Sequence, residues 1–176
     1  MVKEHSGLTR ADIHRLFELL EAKLAEAGVT GEVYLVGGAV MCLALEARPS
    51  TRDVDAVFRP SREIREAAAR AADEAGLPRD WLNDAVKAFL SPHGEFDPFL
   101  EMEHLRVFVA RPEYLLAMKC AAMRLGEEFQ DLDDVRYLLR YLNIETVDEA
   151  MEVITHYFRE DRLLPKTRLA LEELLS

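Results

Sequence analysis

Asp53 and Asp55 stand two residues apart in the segment Thr51-Arg52-Asp53-Val54-Asp55-Ala56-Val57. In an extended chain, residues i and i+2 share a face. The alternation therefore predicts two carboxylates side by side, with Val54 and Ala56 turned into a core. Carboxylates so close repel one another and raise one pKa unless a cation lies between them. A site made of oxygen ligands alone suits Mg²⁺ or Mn²⁺ rather than zinc. Upstream, Val36-Gly37-Gly38-Ala39 closes one apolar run and opens another. Glycines at a strand-to-helix turn leave backbone N–H groups unshielded, and a helix start adds positive potential, so the turn is suited to phosphate. Taken singly, the Gly-Gly reads as a tight turn and the Asp-x-Asp as a solvated strand end. Together, on neighbouring strands, they suit nucleotidyl transfer. Metal ions would bridge the phosphates and activate the attacking oxygen, while the turn holds the leaving pyrophosphate in line.

The elements that must position these residues are short. Glu32–Val36 reads as a buried strand, Ala39–Glu46 as an apolar helix and Asp53–Phe58 as a second strand. Before them, Ile13, Leu16, Phe17, Leu20 and Leu24 form one helical stripe, capped by Thr9 with Asp12 three positions on. After them, Pro60-Ser61 opens a charged, Ala-rich helix that Gly76-Leu-Pro78 ends. Trp81–Leu90 reads as helical, Ser91–Pro98 as a loop, and Phe99–Ala110 as one or two strands, with a hairpin around His104. Helices follow from Pro112 to Leu125, Asp131 to Leu142, Thr146 to Phe158 and Pro165 to Leu175. The expected class is α+β: a small mixed sheet flanked by helices, with a helical C-terminal half. Residues 1–110 would form the α/β core, and residues 111–176 a helical part packed on it as one unit.

Composition narrows the function. The 176 residues carry 22 Lys and Arg against 33 Asp and Glu, a net charge of −11. That balance argues against a protein whose main task is to coat nucleic acid, and leaves room for a local basic cluster around a mononucleotide. Apolar runs such as Ala39–Leu45 fall far short of the ~18–20 residues of a membrane span, and the N-terminal residues lack an apolar signal core. The expectation is a cytoplasmic protein without a membrane partner. Cys42 and Cys120, each among Ala, Leu and Met, read as buried thiols. The spacing offers no structural zinc site, no Gly-x-Ser-x-Gly elbow and no role for the five scattered histidines. Trp81 reads as core, or as a ring that stacks on a base.

Gly37-Gly38-Ala39, followed by Arg48-x-x-Thr51-x-Asp53-Val54-Asp55, resembles the signature of the nucleotidyltransferase superfamily of the DNA polymerase β type. The likeness is nearest to small bacterial proteins that include the AbiEii-like toxins of toxin–antitoxin systems and their relatives of unknown function. Lys119-Cys-Ala-Ala-Met-Arg124, then Asp131-Leu-Asp133-Asp134-Val135, is similar to a downstream block of that branch. The resemblance covers about residues 30–140. It implies metal-dependent transfer of a nucleoside monophosphate from NTP to an acceptor, with pyrophosphate released. Asp53 and Asp55 would hold Mg²⁺ or Mn²⁺, Gly37 and Gly38 the phosphates, and Lys119 would neutralise a phosphate. Thr51 and Arg124 would be nucleotide contacts, and Asp131 or Asp134 an accessory carboxylate. The acceptor could be a short RNA such as a tRNA end, a protein side chain or a small molecule, and an antitoxin is an implied partner.

The residues themselves also permit plainer roles. Lys119 is flanked by Leu115, Leu116, Ala122 and Met123 on its helix face, so it suits a snorkelling lysine as well as a cation aimed into a pocket. Asp131 and Asp134 suit the first turn of a helix, where carboxylates satisfy orphan N–H groups. Thr51 and Arg48 suit loop anchors, and Arg124 a pair with Glu127 or Glu128. The superfamily pattern also has a third carboxylate on a later strand, for which Glu101 and Glu103 are the candidates. Without it, the alternative is a catalytically inactive nucleotidyltransferase-fold module that binds or regulates through protein contacts.

Overall fold

The computed structural model describes residues 7–122 and 131–176. Contacts divide the chain into two compact units, Met1–Ala88 with Phe96–Val109, and Phe89–Glu95 with Ala110–Ser176.

In the first unit, strict alternation builds the centre of a sheet. In β2 (Gly31–Leu35), Val33 and Leu35 are buried while Glu32 and Tyr34 are partly exposed. In β4 (Val54–Arg59), Val54, Ala56 and Phe58 are buried while Asp55 and Val57 are partly exposed. The two strands run antiparallel, with Leu35 opposite Ala56 and Val33 opposite Phe58. β7 (Leu105–Ala110) joins β2 in parallel, and β5 (Leu82–Asn83) joins β4 in parallel. With β6 (Phe96–Glu101) at the far edge, the five-stranded order is β5-β4-β2-β7-β6. This is the mixed sheet of the expected α+β class.

Two helices bury the sheet's apolar face. α1 (Arg10–Ala27) begins at a capping box: Asp12 N–H donates to Thr9 Oγ1 at 3.1 Å, and Thr9 N–H to Asp12 Oδ2 at 2.9 Å. It stops at Gly28 in the left-handed conformation. Its stripe Ile13, Leu16, Phe17, Leu20 and Leu24 packs with Ile64, Ala67, Ala68, Ala71 and Ala72 of α3 (Ser61–Ala75), and Ile64 and Leu24 close over the backbone at Gly31.

Besides the start of β6 at Phe96, inside the expected loop Ser91–Pro98, three local details depart from the sequence reading. Trp81–Leu90 is not a continuous helix: Leu82–Asn83 is a strand and Ala85–Phe89 a 3-10 turn. The cause is tertiary. The Trp81 carbonyl accepts from Val54 N–H at 2.7 Å, and its indole N–H donates to the Ala68 carbonyl at 2.9 Å, which draws the segment to the edge of β4. Trp81 is 1% exposed, so it is a core residue and not a ring open to a base. Second, β4 starts at Val54, leaving Asp53 at a bend, and α2 (Gly38–Leu43) ends before Glu46. Third, β1 (Leu8–Thr9) pairs antiparallel with β3 (Ser50–Thr51), Leu8 facing Thr51.

The second unit is helical: α4 (Pro112–Ala121), α5 (Asp131–Tyr141), α6 (Val147–Tyr157) and α7 (Pro165–Leu174). α4 packs on α5 and α6 around Tyr114, Leu115, Leu116, Val135, Leu138 and Ile154, all fully buried. A second capping box, Thr146 with Glu149, opens α6. The segment Phe89–Glu95 is fastened to this unit. Ser91 N–H donates to Tyr114 Oη at 3.0 Å, the Ser91 hydroxyl donates to the Tyr157 carbonyl, and Glu95 accepts from Tyr157 Oη at 2.8 Å and Arg111 Nη1 at 2.9 Å. Cys42 and Cys120 are buried free thiols, and burial pushes Cys120 up to about 12. Among the described residues no helix is long and apolar enough to cross a membrane.

Candidate functional site

The two sequence motifs meet at the end of β2 in the first unit. Val36 N–H donates to the Asp55 carbonyl at 3.0 Å, which sets the next residue beside the aspartate. That residue is Gly37, at φ 65°, ψ −147°, a conformation reserved for glycine. A Cβ there would lie 3.1 Å from Asp55 Oδ2. The absent side chain thus leaves a cradle directly against one carboxylate oxygen. A Cβ on Gly38 would lie 2.7 Å from Thr51 Oγ1 and 3.2 Å from Arg48 Nη1. The turn backbone is therefore flanked by a guanidinium on one side and a carboxylate on the other. Thr51 is buried, and its hydroxyl donates to the Asp53 carbonyl at 3.1 Å. That bond holds the bend from which the Asp53 side chain leaves.

Asp53 and Asp55 are both partly exposed. Burial raises the Asp53 pKa above the ordinary carboxylate value, the charge of Asp55 raises it further, Arg52 opposes the shift and Asp80 adds to it. This is the like-charge stress that a cation would relieve. Asp55 is fixed by Asn83, whose Nδ2 donates to Asp55 Oδ1 at 2.9 Å, while Asn83 Oδ1 accepts from Ala85 N–H at 3.2 Å. Asn83 is a site residue that the sequence reading missed. Asn83 pairs in register with Asp55 only because Leu82–Asn83 is a strand, which local periodicity does not signal.

The donor set is oxygen only, and the cradle at Gly37 opens onto Asp55 Oδ2. Two carboxylates fit Mg²⁺ or Mn²⁺, because such an ion keeps several waters and takes substrate phosphates as further ligands. Among the described residues no group of three or more His, Cys, Asp or Glu side chains is placed to hold a metal ion together. Glu101 is instead 3.6 Å from Arg106, and Glu103 is exposed. Beside β5 lies an open groove of about 720 Å³, lined by Arg65, Arg70, Arg79, Asp80, Leu82 and Asn83 among others. Asn83 is common to this groove and to the carboxylate pair.

A separate charged cluster lies in the second unit. Lys119 Nζ is 2.8 Å from Asp134 Oδ2 and 3.5 Å from Asp131 Oδ1, and the three side chains are 14%, 6% and 8% exposed. The lysine of α4 is thus paired with both carboxylates from the first turn of α5. The sequence pattern brought these three residues to notice, but packing alone reveals that they form one ionic cluster. Arg124 lies outside the described residues.

Residues 11–168 match the model of a protein family described as nucleotidyltransferase of unknown function (DUF6036). No curated protein and no solved structure matches the chain.

Proposed function

Because the chain belongs to the DUF6036 family of nucleotidyltransferases of unknown function, we propose that it transfers a nucleoside monophosphate from NTP to an acceptor hydroxyl at the Gly37–Asp55 site. The observation that supports this best is the contact of the two motifs: the glycine turn and the Asp-x-Asp pair approach so closely that a single Cβ on Gly37 would reach Asp55 Oδ2 at 3.1 Å. A triphosphate on the turn would then lie next to the Asp55 carboxylate, two residues from Asp53. The acceptor oxygen forms a bond to the α-phosphorus as the α–β phosphoanhydride bond breaks, pyrophosphate leaves, and the hydroxyl proton passes to solvent. Asp53 and Asp55 would hold the Mg²⁺ or Mn²⁺, which when bound offsets phosphate charge and favours the ionised acceptor. Gly37 and Gly38 leave the turn open to phosphate oxygens, and the Arg48 guanidinium beside Gly38 adds positive charge there. Thr51 acts one step back, by fixing the bend that carries Asp53.

For Lys119, Asp131 and Asp134, the resemblance gives a nucleotide-contacting role. Their mutual pairing supports a first role in fastening α4 to α5. The likeness to AbiEii-like toxins extends the reading to a toxin of a toxin–antitoxin or phage-defence pair, with a short RNA end or a protein as acceptor.

Calorimetric titration of NTP with Mg²⁺ tests the site. Wild type should bind, and the Asp53→Ala, Asp55→Ala double variant should lose at least tenfold in affinity; equal binding by both refutes the assignment. Labelled NTP incubated with a cell extract tests the transfer. Label should appear in RNA, protein or a small metabolite with wild type and not with the double variant. NTP binding without any labelled product would favour the inactive binding module.

A further inference from the structure

We infer that Asn83 is a positioning residue of the carboxylate site: its amide locks Asp55 in one orientation and, by standing where a third carboxylate could stand, makes the site hold a divalent cation weakly until a triphosphate supplies the missing anionic ligands. This rests on the metal-binding reading of Asp53 and Asp55 proposed above.

The amide has only one way to lie. Its oxygen is taken by Ala85 N–H at 3.2 Å, so its NH₂ group must face Asp55, to whose Oδ1 it donates at 2.9 Å. The support behind it is rigid. Asn83 is in register with Asp55 across the parallel β4–β5 pair, and the preceding residue but one is Trp81, bonded through its carbonyl to Val54 and through its indole to Ala68. With Oδ1 engaged by the amide, Asp55 presents Oδ2, the oxygen that borders the cradle at Gly37. Asn83 thereby decides which oxygen of Asp55 is offered to a cation.

The amide is also a charge device. A carboxylate at this position would add a third anion beside Asp55 and draw a cation more strongly, since the number of charged ligands tunes divalent affinity. An amide keeps the count at two and spends its NH₂ group on Asp55. The remaining ligands must then come from phosphate oxygens and water. Residues that orient a metal ligand through a hydrogen bond are worth roughly 10–100-fold in metal affinity.

The experiment is a Mn²⁺ titration of the full chain followed by electron paramagnetic resonance, with and without a non-hydrolysable NTP analogue. It compares wild type, Asn83→Asp, Asn83→Ala and the Asp53→Ala, Asp55→Ala double variant. Wild type should bind Mn²⁺ more tightly by at least tenfold when the analogue is present. Asn83→Asp should tighten nucleotide-free binding about tenfold, and Asn83→Ala should weaken binding in the presence of analogue by about tenfold. Trp81 fluorescence verifies folding of each variant. If Asn83→Asp does not fold, the Asn83→Ala result decides alone. If the double variant binds Mn²⁺ as wild type does, the metal reading itself falls. If the double variant loses Mn²⁺ but both Asn83 variants stay within twofold of wild type, the metal reading stands and the role of Asn83 is overturned.

Discussion

Gly37→Ala separates a functional turn from an ordinary one. Gly37 and Gly28 have nearly the same φ, 65° and 67°, but ψ is −147° at Gly37 and 29° at Gly28. Gly28 lies in the left-handed helical region that asparagine also visits, and a Cβ there would meet nothing within 4 Å. Gly37 lies where only glycine is at ease, a strain of about 1–3 kcal/mol for any other residue. Its Cβ would in addition press on Asp55 Oδ2 at 3.1 Å, so the carboxylate or the turn must give by a few tenths of an ångström. The expected total is about 2–3 kcal/mol, or about 4–12 °C in Tm if the chain unfolds as one unit. Gly28→Asn should stay within about 0.5 kcal/mol of wild type. Trp81 is the only tryptophan and is buried in the same unit, so its fluorescence through a urea titration reports this unit directly. Because the added methyl displaces a proposed metal ligand, Mn²⁺ affinity should fall in Gly37→Ala and hold in Gly28→Asn. Equal urea midpoints for the two variants would refute the reasoning.

Other expectations follow from charges. Lys119→Met removes the ammonium that Asp131 and Asp134 share across α4 and α5 and should lower stability by up to about 3 kcal/mol by chemical denaturation, while adding Asp131→Asn and Asp134→Asn should restore part of it. Asp53 has a raised folded pKa, so in the metal-free protein it binds its proton more tightly folded than unfolded, and its contribution to stability falls as pH rises through the window above 3.8. Asp53→Asn should therefore be more stable than wild type at pH 7 in EDTA, with the gain gone below pH 3.8 and reduced when Mg²⁺ is added; thermal melts across that range check it. The backbone N–H groups of Glu145 and Thr146, donating at 2.9 and 3.1 Å, hold the Glu149 carboxylate below its ordinary value of 4.5. Its contribution is present above that value and lost as pH falls through the lower folded pKa. Hydrogen-exchange protection in the first turn of α6 should drop over that acid range in wild type, and be low and pH-independent in Glu149→Ala, which removes the acceptor.

Much of this architecture was legible in sequence because periodicity encodes burial. Val33 with Leu35, and Val54 with Ala56 and Phe58, alternate as a half-buried sheet requires, and the Thr9–Asp12 spacing announces its capping box. The Gly-Gly and Asp-x-Asp pairs were visible for the same reason: each sits at the end of a readable strand. What escaped has no period to read. β5 is two residues long, and Leu82–Asn83 becomes a strand only because Trp81 is anchored to Val54 and Ala68. Asn83 was therefore hidden along with it. Asp53 lies outside β4 because the Thr51 hydroxyl bends the chain, a side-chain bond that alternation does not signal. The pairing of Lys119 with Asp131 and Asp134 depends on how two helices dock, and residue spacing left both of its readings open.

The two-residue pairing of β1 with β3 gives the start of the chain a reach beyond its size. Leu8 is held opposite Thr51, and Thr51 holds the bend of Asp53. A fusion partner, an affinity tag or a protease cut placed near Leu8 would pull on the strand partner of the loop that carries a proposed metal ligand. Loss of activity in a tagged preparation would then say nothing about the chemistry of Asp53. A side-by-side comparison of chains with and without a tag ahead of Leu8 would measure how firmly this two-residue ribbon governs the site.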